Sequence, residues 1–122
     1  MNDLAGRRAL LVEDEGAVAL LIEDMLVDLG CEVAASAANL GKACELASQA
    51  QFDFAILDLN LNGVSAIPVA RILRERCIPF VFSTGYGASG VSEEFVDYPL
   101  LAKPFIMNDL RDRICAALGL QP

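Results

Sequence analysis

The chain has 122 residues, 55% of them hydrophobic and 21% charged. This composition can build a buried core, and the length fits one domain and not two. Its net charge of -8 disfavours nucleic acid and anionic membranes as partners, because both would be repelled. The longest apolar run covers residues 17–22, far short of the ~20 residues of a membrane span, and the first residues lack a cationic signal-peptide start. We therefore expect one cytoplasmic domain over residues 1–122 that binds neither nucleic acid nor membrane.

The cysteines form no CxxC pair, and the chain has no histidine to complete a zinc site. We expect them to be reduced, small buried apolar residues of a protein in a reducing compartment. They are Cys31, Cys44, Cys77 and Cys115.

Short apolar runs alternate with longer segments of helical period, a pattern typical of strand–helix units around a parallel sheet. Five strands are predicted. The first, third and fourth are nearly continuous hydrophobics, as strands buried on both faces should be, and the second and fifth are expected at the edges. The predicted strands are residues 8–12, 32–35, 54–57, 79–83 and 100–102.

Apolar residues at three–four spacing predict a first helix with one apolar face, and Gly30 supplies its stop. The members of that face are Val18, Leu21, Ile22, Met25, Leu26 and Leu29. The same spacing predicts a second, a third and a fifth helix. Their apolar positions are Leu40, Ala43, Cys44 and Ala47; Ala66, Val69, Ala70 and Leu73; and Met107, Leu110, Ile114 and Ala117. Residues 87–99 contain two glycines and few apolar anchors, so they predict only a weak fourth helix.

Polar side chains follow four of the five predicted strands. Glu13 and Asp14 follow the first, Asp58 the third, Thr84 the fourth and Lys103 the fifth. In an open α/β sheet the ligand crevice lies outside the carboxyl ends of the strands, so these side chains should converge in one cleft. Each of them alone also fits a helix N-cap or a solvated charge, but the joint pattern favours a site.

Three clustered carboxylates need a counter-ion, since two charges ~5 Å apart repel by roughly 3 kcal/mol at an effective dielectric of about 20. Oxygen ligands without histidine indicate a hard cation that keeps several waters, which suits Mg²⁺. The metal and Lys103 together balance the three acids, and such a cluster can accept a phosphoryl group. Asp58 is the predicted nucleophile, because carboxylates form acyl phosphates and this one sits at the centre of the set.

These residues resemble the receiver domains of bacterial two-component response regulators. The matches extend from Arg8 to Leu118 in the family's order and spacing, and include the Lys103-Pro104-Phe105 motif after the fifth strand. The resemblance implies a doubly wound, flavodoxin-like (βα)5 fold with strand order 2-1-3-4-5 and helices on both faces. It also implies a single receiver domain without an output domain.

The resemblance implies a donor protein, either a sensor histidine kinase or a histidine phosphotransfer protein. After accepting the phosphoryl group, the domain would bind an unknown downstream protein or serve as a phosphate sink. It implies a cis peptide bond between Lys103 and Pro104. The implied site residues are Asp58 as phosphoacceptor; Glu13, Asp14, Asp58 and the Asn60 backbone carbonyl as magnesium ligands; and Thr84 and Lys103 as phosphoryl-binding groups.

Two features depart from the common receiver pattern. Leu100 stands where most receivers carry a switching Tyr or Phe, and residues 79–87 resemble a stand-alone alphaproteobacterial subclass with a Phe-Ala-Thr-Gly-Tyr type motif. We therefore hypothesise that residues 86–98 respond to phosphorylation instead and are partly disordered before it. Tyr86, Leu100 and Phe105 would then belong to the signalling surface.

Three other classes were weighed. A phosphatase with an aspartyl-phosphate intermediate is disfavoured, because such sites resemble Asp-x-Asp and Asn60 occupies the second position here. A pseudo-receiver that binds partners without phosphorylation is disfavoured by the intact acidic set. A receiver domain cut from a hybrid histidine kinase stays open. We expect a signalling protein that assists only its own phosphorylation and dephosphorylation, and not an enzyme.

Overall fold

The computed structural model describes residues 3–85 and 91–120. The strands of its main sheet, in chain order, are β1 (Arg8–Val12), β2 (Glu32–Ala37), β3 (Phe54–Asp58), β4 (Phe80–Thr84) and β5 (Leu100–Ala102). They form one sheet in the order β2-β1-β3-β4-β5, and every neighbouring pair is parallel. The predicted strand order and edge strands are therefore confirmed. The chain changes direction across the sheet between β1 and β3, where doubly wound folds open their ligand crevice.

Helices cover both faces of this sheet, as predicted. They are α1 (Gly16–Asp28), α2 (Leu40–Gln49), α3 (Ile67–Glu75) and α4 (Met107–Leu118). Apolar residues of α1 and α4 pack with one set of strand side chains, and those of α2 and α3 pack with the alternate set. No helix in the described ranges is both long enough and apolar enough to cross a bilayer.

The apolar face predicted for α1 is wrong at one position. Ile22 and Leu26 are buried against the sheet, and Leu29 just beyond the helix is buried as well, but the Leu21 side chain is 54% exposed. A helix that packs on a sheet buries a narrow stripe, whereas apolar residues here also extend onto the outer surface at Leu20. The spacing therefore predicted the helix correctly but overestimated the width of its buried face.

The predicted fourth helix is replaced, in its described part, by one turn of 3₁₀-helix over Glu93–Phe95. Phe95 is fully buried, and its ring meets those of Phe80, Phe82 and Tyr98 at centroid distances of 5.9, 5.7 and 5.2 Å. The expectation that this stretch is poorly anchored is therefore wrong for residues 91–98. The part of the prediction that concerns Tyr86 and the two glycines lies outside the described residues.

Ion pairs also fasten this turn to α3. Glu94 accepts hydrogen bonds from Arg71 Nη2 at 2.7 Å and from Arg74 Nη1 at 3.0 Å, and the Arg74 guanidinium lies 4.8 Å from the centroid of the Phe95 ring. The Arg71 hydrogen bond, together with the one from Arg74, holds the pKa of the Glu94 carboxyl below its usual value. The contacts come from a helix about 20 residues earlier in the chain, which no local sequence pattern reveals.

We expect Glu94→Gln to make the stability of the protein less sensitive to acid. A carboxyl with a lowered folded-state pKa adds stability above its unfolded pKa, and that stability is lost as the pH falls through the folded value. Thermal unfolding followed from neutral to acidic pH should show a smaller loss in Glu94→Gln than in the wild type. The exposed neighbour Glu93 offers the control, since Glu93→Gln should follow the wild-type curve. Parallel curves for all three proteins would contradict the expectation.

The cysteines are all free thiols, as predicted. Cys31 and Cys115 are buried and Cys44 is half-buried, and burial raises the pKa of the Cys31 and Cys44 thiols. Cys77 is exposed, which corrects the expectation of burial for that residue. It lies two residues after the end of α3 in a left-handed backbone conformation with φ 58°, at the turn that leads the chain toward β4.

Candidate functional site

Strand ends place the acids and the lysine at one edge of the sheet. The Glu13 amide still donates to Ala37 O at 3.0 Å, so the ladder between β1 and β2 continues to this residue. Asp58 is itself the last residue of β3, and the Lys103 amide extends β5 by donating to Thr84 O at 2.8 Å. Because parallel strands end at the same edge, these side chains meet, as the sequence predicted.

The lysine bridges two of the carboxylates. Lys103 Nζ lies 2.6 Å from Glu13 Oε1 and 2.9 Å from Asp58 Oδ2. Glu13 and Asp58 are only 3% and 6% exposed, so this contact is largely shielded from water. Asp14 is half-buried beside them, and one carboxylate oxygen from each of the three acids lies within 4.8 Å of the others. One ammonium thus faces three acids that carry a net excess of negative charge.

Burial and pairing oppose each other in this cluster. Burial raises the pKa of the Glu13 carboxyl, although its hydrogen bond from Lys103 lowers it. Burial also tends to lower the pKa of Lys103, but hydrogen bonds to Glu13 and Asp58 outweigh that effect and raise it. The lysine therefore stays charged, and its single positive charge does not balance the three acids. The cluster is built to attract a further cation.

A short hairpin after β3 supplies backbone donors to the acids. Its strands are Asn60–Leu61 and Val64–Ser65, and both turn residues, Asn62 and Gly63, have positive φ, at 54° and 83°. Asn60 N donates to Asp58 Oδ1 at 3.0 Å, and Asn62 N donates to Asp14 Oδ2 at 2.9 Å. The sequence analysis missed the hairpin and the role of Asn62, although an Asn-Gly pair is the usual signal for such a turn.

The cleft above these residues measures about 390 Å³. Its lining residues are Asp14, Glu15, Asp58, Asn60, Asn62, Gly63, Gly85 and Lys103. Most polar groups in this lining offer oxygen atoms that can bind a metal ion, and the carboxylates give the cleft excess negative charge. The chain has no histidine that could add an imidazole. That donor set fits a hard divalent cation such as Mg²⁺ and does not fit a soft transition metal.

The structure positions the remaining predicted residues in different ways. Thr84 is buried at the end of β4, next to Ala102 in register, and its carbonyl accepts the Lys103 amide. Leu100 and Phe105 are half-buried and pack against opposite clusters of the core. The Lys103–Pro104 bond is cis, as the resemblance implied. Tyr86 lies outside the described residues. The functional roles assigned to these residues stay predictions.

The fold and this edge cluster together define the class of protein. A family model, the response regulator receiver domain, matches residues 9–115. The chain therefore belongs to the receiver domain family of response regulators, as the sequence indicated.

Solved structures support the same assignment. The chain is similar to SdrG from Sphingomonas melonis Fr1, with 37% identity, a TM-score of 0.83, and coverage of 93% of this chain and 97% of that one. It is also similar to the receiver domain of the sensor histidine kinase PA1611 from Pseudomonas aeruginosa PAO1, with 27% identity, a TM-score of 0.80, and coverage of 94% and 99%. That structure has a magnesium ion coordinated in its active site cleft.

One curated relative is longer than this chain. The transcriptional regulatory protein PdtaR of Mycobacterium tuberculosis is 31% identical over 108 residues, which cover 85% of this chain and 53% of PdtaR. The chain thus spans about half the length of PdtaR.

Proposed function

We propose that this chain is a phosphoacceptor signalling protein of a two-component phosphorelay, which accepts a phosphoryl group on Asp58 with Mg²⁺ bound. The observation that carries the proposal is the edge cluster, in which Lys103 contacts Glu13 and Asp58 while Asp14 lies within ligand distance. The magnesium ion in the cleft of the PA1611 receiver domain supports the same cofactor for this chain.

The proposed reaction transfers a phosphoryl group from a phosphohistidine to an aspartate. An Asp58 oxygen attacks phosphorus, the new O–P bond forms as the P–N bond of the donor breaks, and the imidazole leaves with the electron pair of that bond. The chain has no histidine, so the donor is another protein, a sensor histidine kinase or a histidine phosphotransfer protein. The Lys103 ammonium would hold a transferred phosphoryl oxygen, and the Thr84 hydroxyl at the end of β4 would bind another.

The oxygen donors named above would hold the cation. Glu13, Asp14 and Asp58 supply carboxylates, and the Asn60 backbone carbonyl is the predicted fourth protein ligand. When bound, Mg²⁺ would neutralise charge on the transferring phosphoryl group. The Asn60 amide, which donates to Asp58 Oδ1 at 3.0 Å, orients the carboxylate and leaves Oδ2 beside the lysine.

The proposal assigns no turnover chemistry beyond the domain's own phosphorylation and dephosphorylation. The phosphorylated protein would act by binding an unknown downstream protein or by draining phosphoryl groups from the relay. We place it in the cytoplasm, in keeping with the four free thiols, which suit a reducing compartment.

Incubation with acetyl phosphate or a phosphorylated histidine kinase, with Mg²⁺ present, should add one phosphoryl group per chain. Asp58→Asn should abolish the addition, because the amide cannot form an acyl phosphate. Intact-mass spectrometry measures the product, and chelation of Mg²⁺ should suppress it. Asp97→Asn, which changes an exposed acid away from the cleft, is the matched control and should be labelled like the wild type. Equal labelling of Asp58→Asn and the wild type would remove Asp58 from its proposed role.

A further inference from the structure

Ser83 carries a buried hydroxyl that has no visible structural use. The residue is 1% exposed, and its Oγ finds no hydrogen-bond partner among residues 3–85 and 91–120. A buried hydroxyl without a partner lowers stability, and alanine would fill nearly the same space without that cost. The subclass motif that the sequence resembles has alanine at this position. The hydroxyl therefore needs an explanation.

The sheet register places Ser83 beside Asp58, one of the acids of the cluster. Ser83 lies opposite Asp58 on one side and opposite Leu101 on the other. Side chains alternate along a strand, and Val81, two residues before Ser83, packs with Leu101 in the core that α1 and α4 cover. Ile56, two residues before Asp58, packs in that same core. The Ser83 hydroxyl and the Asp58 carboxylate thus project from the same face of adjacent strands.

Lys103 approaches the same position from the other side. It follows Leu101 by two residues, and its amide continues the ladder with β4, so its stem rises from the strand next to Ser83. The ammonium has three donor hydrogens. The structure gives it two partners in the described ranges, Glu13 Oε1 and Asp58 Oδ2. An unpartnered hydroxyl and an ammonium with spare donor capacity therefore start from the same face of two adjacent strands.

We propose that Ser83 is a positioning residue for Lys103 in the phosphorylated site, an inference that rests on the proposed function. Once Asp58 carries a phosphoryl group, its carboxyl is part of an acyl phosphate and no longer holds the ammonium by its own charge. Lys103 then turns to the phosphoryl oxygens, and the Ser83 hydroxyl accepts one of its hydrogens. The serine fixes the ammonium where the phosphoryl charge lies. The hydroxyl, which has no partner among the described residues, gains one in the loaded state.

The proposal makes Ser83→Ala act in opposite directions in the two states. Without metal, the variant should melt at a higher temperature than the wild type, because the orphaned hydroxyl is gone. Adding Mg²⁺ and beryllofluoride, a stable mimic of the phosphoryl group, should raise the melting temperature of the variant by less than that of the wild type. Its affinity for beryllofluoride should be about tenfold weaker, the loss expected for one hydrogen bond to a charged group. A residue that only fills space would shift both states equally.

The measurements are thermal unfolding in chelator and with saturating Mg²⁺, and calorimetric titration of beryllofluoride at fixed Mg²⁺. Ser83→Cys keeps the side-chain volume but is a poor acceptor, so it should show the same weakened titration and serves if the alanine variant folds badly. Ser92→Ala is the matched control, because its buried hydroxyl also lacks a described partner but lies just before the 3₁₀ turn and not on a strand next to Asp58 or Lys103. It should leave the beryllofluoride affinity unchanged.

Each outcome decides between the two proposals. If both Ser83 variants bind beryllofluoride as tightly as the wild type, the role of Ser83 is overturned and the proposed function stands. The role is also overturned if Ser83→Ala destabilises the metal-free protein while Ser92→Ala does not, since the hydroxyl then has a partner already. If the wild type itself binds no beryllofluoride with Mg²⁺, the proposed function fails and this inference fails with it.

Discussion

Phe95→Ala should lower the free energy of unfolding by roughly 3–5 kcal/mol, the cost of deleting a fully buried aromatic side chain. The ring of Phe95 packs edge-on against Phe80 and Phe82, and Arg74 lies over it. Removing it leaves a cavity bounded by a strand and a helix that cannot readily collapse. Denaturation in urea, followed by circular dichroism, measures the change.

Val96 offers the matched control for this prediction. It is the next residue, and its side chain is 71% exposed. Val96→Ala should change the free energy of unfolding by less than about 0.5 kcal/mol, as surface substitutions usually do. If Phe95→Ala lowers the free energy of unfolding by less than about 1 kcal/mol, well short of the range given above, the segment around Phe95 does not stabilise the domain.

Lys103→Met should destabilise the metal-free protein by roughly 3 kcal/mol, because it leaves two buried carboxylates without their cation. Methionine keeps the apolar stem, so the loss reports the charge. Mg²⁺ should recover much of that stability, since at the proposed site it would bind the folded acids far better than the unfolded chain. The increase in melting temperature on adding Mg²⁺ should thus be larger in Lys103→Met than in the wild type. Lys42→Met, which changes the chain's other lysine at an exposed position, should give the wild-type response.

The pH dependence gives this second prediction a further check. Burial raises the pKa of Glu13, and Lys103→Met removes a hydrogen bond that opposes the rise. A carboxyl with a raised folded-state pKa favours folding while it is protonated, and that contribution is lost as the pH rises through the folded value. The loss of stability of Lys103→Met relative to the wild type should therefore become smaller toward acidic pH. A deficit that is independent of both pH and Mg²⁺ would mean that the lysine acts through packing alone.

The sheet could be predicted because burial on both faces leaves a plain signal. β1, β3 and β4 read as unbroken apolar runs, and the polar residues that end them mark the site. Glu13, Asp58 and Lys103 were found in this way, since strand ends of a parallel sheet must meet. The alternation of strands and helices predicted that the strands are parallel, and the family resemblance supplied their order.

Features that depend on distant contacts could not be predicted in the same way. The 3₁₀ turn at Glu93–Phe95 is held by α3 and by aromatic rings of β4, which local spacing does not reveal. In the sequence Ser83 looks like an ordinary strand residue. Only the folded chain shows that its buried hydroxyl lies next to Asp58 in register and has no hydrogen-bond partner among the described residues. The exposure of Leu21 likewise depends on which stripe of α1 meets the sheet.

The hydrogen bond from the Asn62 amide to Asp14 ties the loop after β1 to the hairpin after β3. A carboxylate has about four lone-pair positions, so Asp14 can keep this bond and still face a cation. The two loops do not have to be brought together at the moment of binding, and little conformational entropy is lost then. The cleft is therefore preorganised, and if Mg²⁺ binds there as proposed, we expect the slow loss of water from the incoming ion, and not loop rearrangement, to limit the rate of binding.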